Sequence, residues 1–118
     1  REGILRLLAK GISLDAVVCY NDQIAMQIIP ALASRGIRVP EDISVTGYDN
    51  SCMAMGDSFH LTTIVHPQEK LGEMAAQLLL SLLRGETLQP EQSKILIQPE
   101  LVVGNSCCGI FTSKYTTC

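Results

Sequence analysis

The sequence predicts an α/β domain built on a mainly parallel sheet, three layers deep, with helices on both faces. Three observations carry that prediction. Two short apolar runs rich in β-branched residues, Ala16-Val-Val-Cys and Ile43-Ser-Val-Thr, flank a segment of helical periodicity, the spacing of a strand–helix–strand crossover. Both runs stop at polar residues, Tyr20-Asn21-Asp22 and Gly47-Tyr48-Asp49-Asn50. A third strand-like run, a second long helical stretch and a last strand-like run then repeat the alternation.

Ile4, Leu5, Leu7 and Leu8 form a helical stripe that ends at Gly11, a residue suited to the left-handed turn after a helix. A strand is expected over residues 15–20. Asp22 or Asn21 can cap the next helix. Its apolar positions Ile24, Met26, Ile28, Ile29 and Leu32 run toward Gly36, and Pro30 should kink it. Val39-Pro-Glu-Asp42 reads as a turn, residues 43–48 as a strand and residues 51–60 as a surface loop. Residues 61–65 make a third strand. Pro67 is suited to the first position of a helix whose face continues through Leu71, Met74, Ala75, Leu78, Leu79, Leu82 and Leu83 to Gly85. A polar connector precedes a last strand over residues 95–103, bent by Pro99, and residues 107–118 show no pattern.

The chain has 118 residues, of which 47% are hydrophobic, enough for one packed core. A formal net charge of −3 and the lack of any Lys/Arg cluster argue against a nucleic-acid-binding surface. No apolar run approaches the roughly 20 residues of a membrane helix, so no membrane contact is expected. Five cysteines, an odd and unevenly spaced set, fit reduced cytosolic thiols better than a disulfide framework. The first residues lack the features of a signal peptide, and a start inside a helix without an initiating Met suggests an excised fragment.

Side chains at the carboxyl ends of parallel strands converge on a crevice, which makes Asn21, Asp22 and Asp49 candidates to face one small molecule. Carboxylates and carboxamides on rigid elements suit a polyol, which needs acceptors for its hydroxyl protons and donors for its oxygens. Tyr20 and Tyr48 can stack on a sugar ring, although strand alternation favours core packing for both. Met26, Ile29, Met53 and Met55 offer flexible apolar surface on the first long helix and the irregular loop.

No catalytic or metal site is expected. Cys19, His66 and Asp49 can be written as a nucleophilic set, but Cys19 lies in mid-strand, where it reads as a small core hydrophobe. His60, His66, Cys107 and Cys108 lack the spacing of a zinc site. The glycines are scattered singly, so no phosphate loop is present and no cofactor is implied. A phosphoacceptor signalling domain would also end a strand in Asp, but the lysine it needs after a later strand is missing near Val65.

Ala16-Val-Val-Cys-Tyr-Asn-Asp-Gln, Gly36-Ile-Arg-Val-Pro-Glu-Asp-Ile-Ser-Val-Thr-Gly-Tyr-Asp and Leu61-Thr-Thr-Ile occur in this order. The linked series resembles the effector-binding region of the lactose/galactose repressor family, most closely its arabinose repressors, over residues 1–106. The resemblance implies the carboxyl-terminal part of a two-subdomain, periplasmic-binding-protein-like fold, with residues 66–85 forming a helix of the other subdomain and 107–118 an unstructured tail. It implies a cytoplasmic, sugar-responsive regulator that binds a free monosaccharide such as L-arabinose, forms a homodimer, and reaches DNA only through a separate domain. Asn21 and Asp49 fall on the family's sugar-contacting positions, which leaves Asp22 as the expected cap of the first long helix. A third such position is His66, where many members carry glutamine or arginine. Met26, Ile29, Met53 and Met55 fall on the elements through which members dimerise. A solute-binding protein of a sugar importer is the alternative on the same fold.

The resemblance also implies that the helix after Pro67 lacks its usual packing partner, and an uncovered apolar face tends to find another chain. The isolated chain is therefore expected to associate at tens of micromolar in sedimentation velocity. A strictly monomeric profile would contradict this.

Overall fold

The computed structural model describes residues 2–51, 58–87 and 94–109. The chain divides into two compact units, Arg1–Val65 with Glu100–Cys118, and His66–Pro99. The first unit contains helix α1 (Glu2–Ala9), strand β1 (Ala16–Val18), helix α2 (Asp22–Ala33), strand β2 (Ser44–Thr46), strand β3 (Thr63–Val65) and strand β4 (Glu100–Val102). The second contains helix α3 (Gln68–Leu83).

β1 and β2 pair in parallel, with Val17 opposite Val45. Single parallel bridges, Thr46 with Thr62 and Asp49 with Val65, tie β2 to the β3 segment. β4 pairs antiparallel to β3, with Ile64 opposite Leu101. The β1–α2–β2 crossover delivers α2 to one face, where Ala25, Ile28 and Leu32 join Ile4 of α1, Cys19, Ile43, Val45 and Leu61 in the core. Leu32 and Val45 are fully buried, and each such side chain contributes about 1.5–3 kcal/mol by leaving water.

The expected cover on both faces is not present among the described residues. Val18 and Tyr20, on the face of β1 opposite the core, are 83% and 86% exposed. Covering that face needs a crossover running the other way along the sheet, and the order β1, β2, β3 has none. Tyr20 is accordingly not the core residue that alternation suggested. Alternation holds, but the face it assigns to Tyr20 is open.

Glycine stops each of the three described helices. Gly11, Gly36 and Gly85 follow α1, α2 and α3 with φ of 71°, 73° and 77°, the left-handed region that a Cβ disfavours. α2 continues through Pro30 to Ala33 as a single helix, because the proline lies in its last turn. Beyond α2, the Arg38 guanidinium and backbone N–H both donate to the Asp42 carboxylate at 2.9–3.0 Å. That pairing lowers the Asp42 carboxyl to about 2.

α3 begins at Gln68, one residue later than expected, with Pro67 in the non-helical capping position at ψ 63°. None of its residues is buried, and Leu79, Leu80, Leu82 and Leu83 are 50–75% exposed. Met74, expected in a helix core, is half-buried in a groove of about 330 Å³ with Leu78 and Ile95. Of the strand expected over 95–103, only Glu100–Val102 forms. Pro99, with no N–H to give a ladder, marks its start.

Gly47, between β2 and its polar end, lies against the first residue of α2. A Cβ there would press on the Asp22 carboxylate and stand 2.8 Å from the Leu61 side chain. Gly47→Ala is expected to destabilise the chain by about 1–3 kcal/mol in urea unfolding, the usual cost of overpacking a closed site. An unchanged midpoint would show that α2 can retreat from β2.

Candidate functional site at the strand ends

The parallel ladder continues past the regular strands and brings their polar ends together. The Cys19 N–H donates to the Thr46 carbonyl at 2.9 Å, and the Asp22 N–H donates to the Tyr48 carbonyl at 2.9 Å. Gly47 and Asp49 donate in turn to the Thr62 and Ile64 carbonyls at 3.0 and 2.9 Å. Asn21-Asp22 and Tyr48-Asp49 therefore occupy neighbouring positions on one carboxyl edge.

Asn21, not Asp22, caps α2. Its backbone is still extended, at φ −153° and ψ 172°, and its Oδ1 accepts the Ile24 N–H at 3.0 Å. The residue that ends the strand is thus the one whose side chain can turn back over the first turn of the helix. Asp22, one step later, is 1% exposed and points into the edge. Its Oδ2 accepts the Ser51 N–H at 3.0 Å, and its Oδ1 accepts the Thr63 hydroxyl at 2.5 Å. A buried carboxylate is tolerated when donors satisfy it, and the first turn of α2 adds favourable dipoles.

Asp49 is half-buried with φ 100°, and Asn50 follows at φ 50°. Such a conformation is uncommon for a residue with a Cβ and costs on the order of 1–3 kcal/mol. Among the described residues neither the Asp49 carboxylate nor the Asn21 Nδ2 is engaged in a hydrogen bond. The edge thus offers one anionic acceptor and one amide donor, a pair suited to a polyhydroxylated ligand.

His66 follows Val65 directly and opens the second unit, where its carbonyl accepts the Gln68 N–H at 2.8 Å. Met26 is half-buried on α2, while Ile29 packs partly against the core. Met53 and Met55 lie outside the described residues.

Tyr20, Tyr48, Thr46, Ile64 and Leu101 line a shallow, almost wholly apolar cup of about 230 Å³ on the open sheet face. Asn21 and Asp49 follow Tyr20 and Tyr48 in the chain and are not among the residues that line it. Cys19 is buried beneath the sheet, where burial and then the neighbouring Asp22 charge push its thiol pKa up, against nucleophilic use. Among the described residues no three His, Cys, Asp or Glu side chains gather as a metal ion would require.

One structural residue was not apparent from the sequence. Ser106 is fully buried, its Oγ donating to the Val45 carbonyl at 2.6 Å and accepting the Thr62 N–H at 2.8 Å. Its carbonyl accepts the Val45 N–H at 2.8 Å, so it stitches β2 to the β3 segment. Beside it, Asn105 exchanges hydrogen bonds with His60, and the Cys108 N–H donates to Ser44 Oγ at 3.1 Å. The Asn105-Ser106 dipeptide and the segments it binds, 44 to 61 positions away, give no joint signal in sequence.

Comparison with known proteins agrees with this arrangement. The chain is 40% identical over 94 residues to an arabinose metabolism transcriptional repressor of Halalkalibacterium halodurans, covering 76% of this chain and 25% of that protein. It is 39% identical over 105 residues to the HTH-type transcriptional repressor PurR of Pasteurella multocida, covering 89% of this chain and 31% of that one. It superposes on the lac repressor dimer bound to operator and the anti-inducer ONPF with a TM-score of 0.80 at 30% identity, covering 92% of this chain and 37% of that one. The cellobiose complex of the transcriptional regulator CelR gives 0.73 at 33% identity, covering 85% and 30%. The chain thus spans about a quarter to a third of the length of the curated relatives it matches. With residues 4–107 matching its profile, the chain belongs to the periplasmic binding protein-like domain family, in the form found in lactose/galactose-type repressors.

Proposed function

We propose that the chain is part of the effector-sensing region of a sugar-responsive transcription regulator, and that it binds a free monosaccharide, L-arabinose in the first instance. The observation that carries this reading is the pairing of a disengaged Asp49 carboxylate and a disengaged Asn21 amide nitrogen on one strand edge. The kinship with arabinose repressors and the cellobiose complex of CelR support the choice of ligand class. Asp49 would accept a sugar hydroxyl, Asn21 Nδ2 would donate to a sugar oxygen, and His66 enters as a third contact through the family resemblance alone. No catalytic step belongs to this reading.

The regulator would act as a cytoplasmic homodimer, with Met26, Ile29, Met53 and Met55 at the subunit contact and DNA read by a separate domain. Sugar can shift the regulator between states only by its difference in affinity for them. A hydrogen bond to a charged group contributes roughly 1.5–3 kcal/mol, so Asp49 alone is worth about tenfold or more in affinity.

Calorimetric titration of the complete regulator with a panel of pentoses, hexoses and their phosphates tests this reading. One free sugar, L-arabinose by preference, is expected to bind. Asp49→Ala is expected to weaken that binding at least tenfold while leaving the fold intact. Binding of no sugar, or an unchanged affinity in the variant, would refute it. Stoichiometric labelling of Asp49 by a small phosphodonor would point to a phosphoacceptor instead.

A further inference from the structure

We propose that Asp22 is the positioning residue of the ligand edge, its buried carboxylate clamping the 48–51 turn so that Asp49 meets the sugar already in place. This rests on the sugar reading above, and it assigns Asp22 a role other than helix capping or ligand contact. The geometry is specific. The Asp22 backbone N–H holds the Tyr48 carbonyl at 2.9 Å, and its Oδ2 holds the Ser51 N–H at 3.0 Å, so one residue grips the turn on both sides of Asp49. Its Oδ1 takes the Thr63 hydroxyl at 2.5 Å, and Thr63 Oγ1 lies 3.4 Å from the Asn50 N–H, which extends the grip through β3.

The clamp has something to oppose. Asp49 and Asn50 both have positive φ, at 100° and 50°, and a turn in that conformation relaxes unless its surroundings over-determine it. Asp22 is 1% exposed and Thr63 3% exposed, so the bond between them is closed to water, while those to Asn50 and Ser51 are half-buried. Gly47 leaves the space into which the Asp22 carboxylate fits. Without the clamp, a ligand must order the turn as it binds, and affinity falls by the fraction of molecules already competent.

Asp22→Asn keeps the volume but replaces one acceptor oxygen with a donor, so that either the Ser51 N–H loses its acceptor or the Thr63 hydroxyl must turn from donor to acceptor, which also disturbs its contact with the Asn50 N–H. Thr63→Val removes the hydroxyl with little change of shape, and Thr63→Ser restores it. In the complete regulator, Asp22→Asn and Thr63→Val are each expected to raise the sugar dissociation constant at least tenfold, with Thr63→Ser within about threefold of wild type. The Ser51 amide resonance should move in the first two variants and not in the third. Folded variants with wild-type affinity and an unmoved Ser51 amide would overturn the clamp, as would Thr63→Ser behaving like Thr63→Val. Should Asp22→Asn fail to fold, the two Thr63 variants decide. Should the wild type bind no sugar, the sugar reading falls, and the Ser51 resonance decides whether the clamp stands without it.

Discussion

The buried carboxylate of Asp22 is the constraint on which the first unit's functional edge depends. It stands where α2 leaves β1, where β2 ends, and where β3 begins, and its two oxygens accept from Ser51 and Thr63. Burying such a charge is costly unless donors surround it, so the surrounding geometry is committed to it. Gly47 has to lack a side chain, Thr63 has to present its hydroxyl inward, and the turn has to bring the Ser51 N–H to the carboxylate. Loss of any one partner would leave a buried acceptor short of a bond.

A second dependence runs through Ser106. The β2 and β3 segments meet directly only at single bridges, and the Ser106 hydroxyl and carbonyl supply bonds that a longer ladder would otherwise provide. The returning chain is therefore part of the sheet that presents Asp49. Gly104 permits this return, since a Cβ there would press on the His60 carbonyl.

Local chemistry was legible in the sequence, and non-local pairing was not. The three helices could be read from their apolar stripes, and their ends from Gly11, Gly36 and Gly85, because left-handed termination is a property of a single residue. The carboxyl-edge location of Asn21 and Asp49 was legible for the same reason: each ends an apolar run. The exchange of roles between Asn21 and Asp22 was not, since both can cap a helix. Which one does so is settled by the Asp22 N–H pairing with Tyr48, 26 positions on in the chain. The exposure of Tyr20 was equally hidden, because a strand's own pattern cannot say whether its second face is covered. The antiparallel run of β4 depends on pairing Val65 with Glu100, across all of α3.

On the proposed reading, a pre-formed edge that presents one acceptor and one donor without a hydrogen bond among the described residues would let the region select a neutral polyol. The Asn21 amide offers the most direct view of it, because its Oδ1 is already committed to capping and only Nδ2 is left for a ligand. The decisive measurement is a titration of the complete regulator, with its asparagine side chains labelled with ¹⁵N, against the proposed sugar, L-arabinose. The account predicts that the Asn21 Nδ2 resonance shifts and becomes protected from exchange as the site saturates, while the Ile24 amide beneath the cap stays in place. An Asn21 side chain that is unmoved at saturation would contradict it and place the sugar elsewhere.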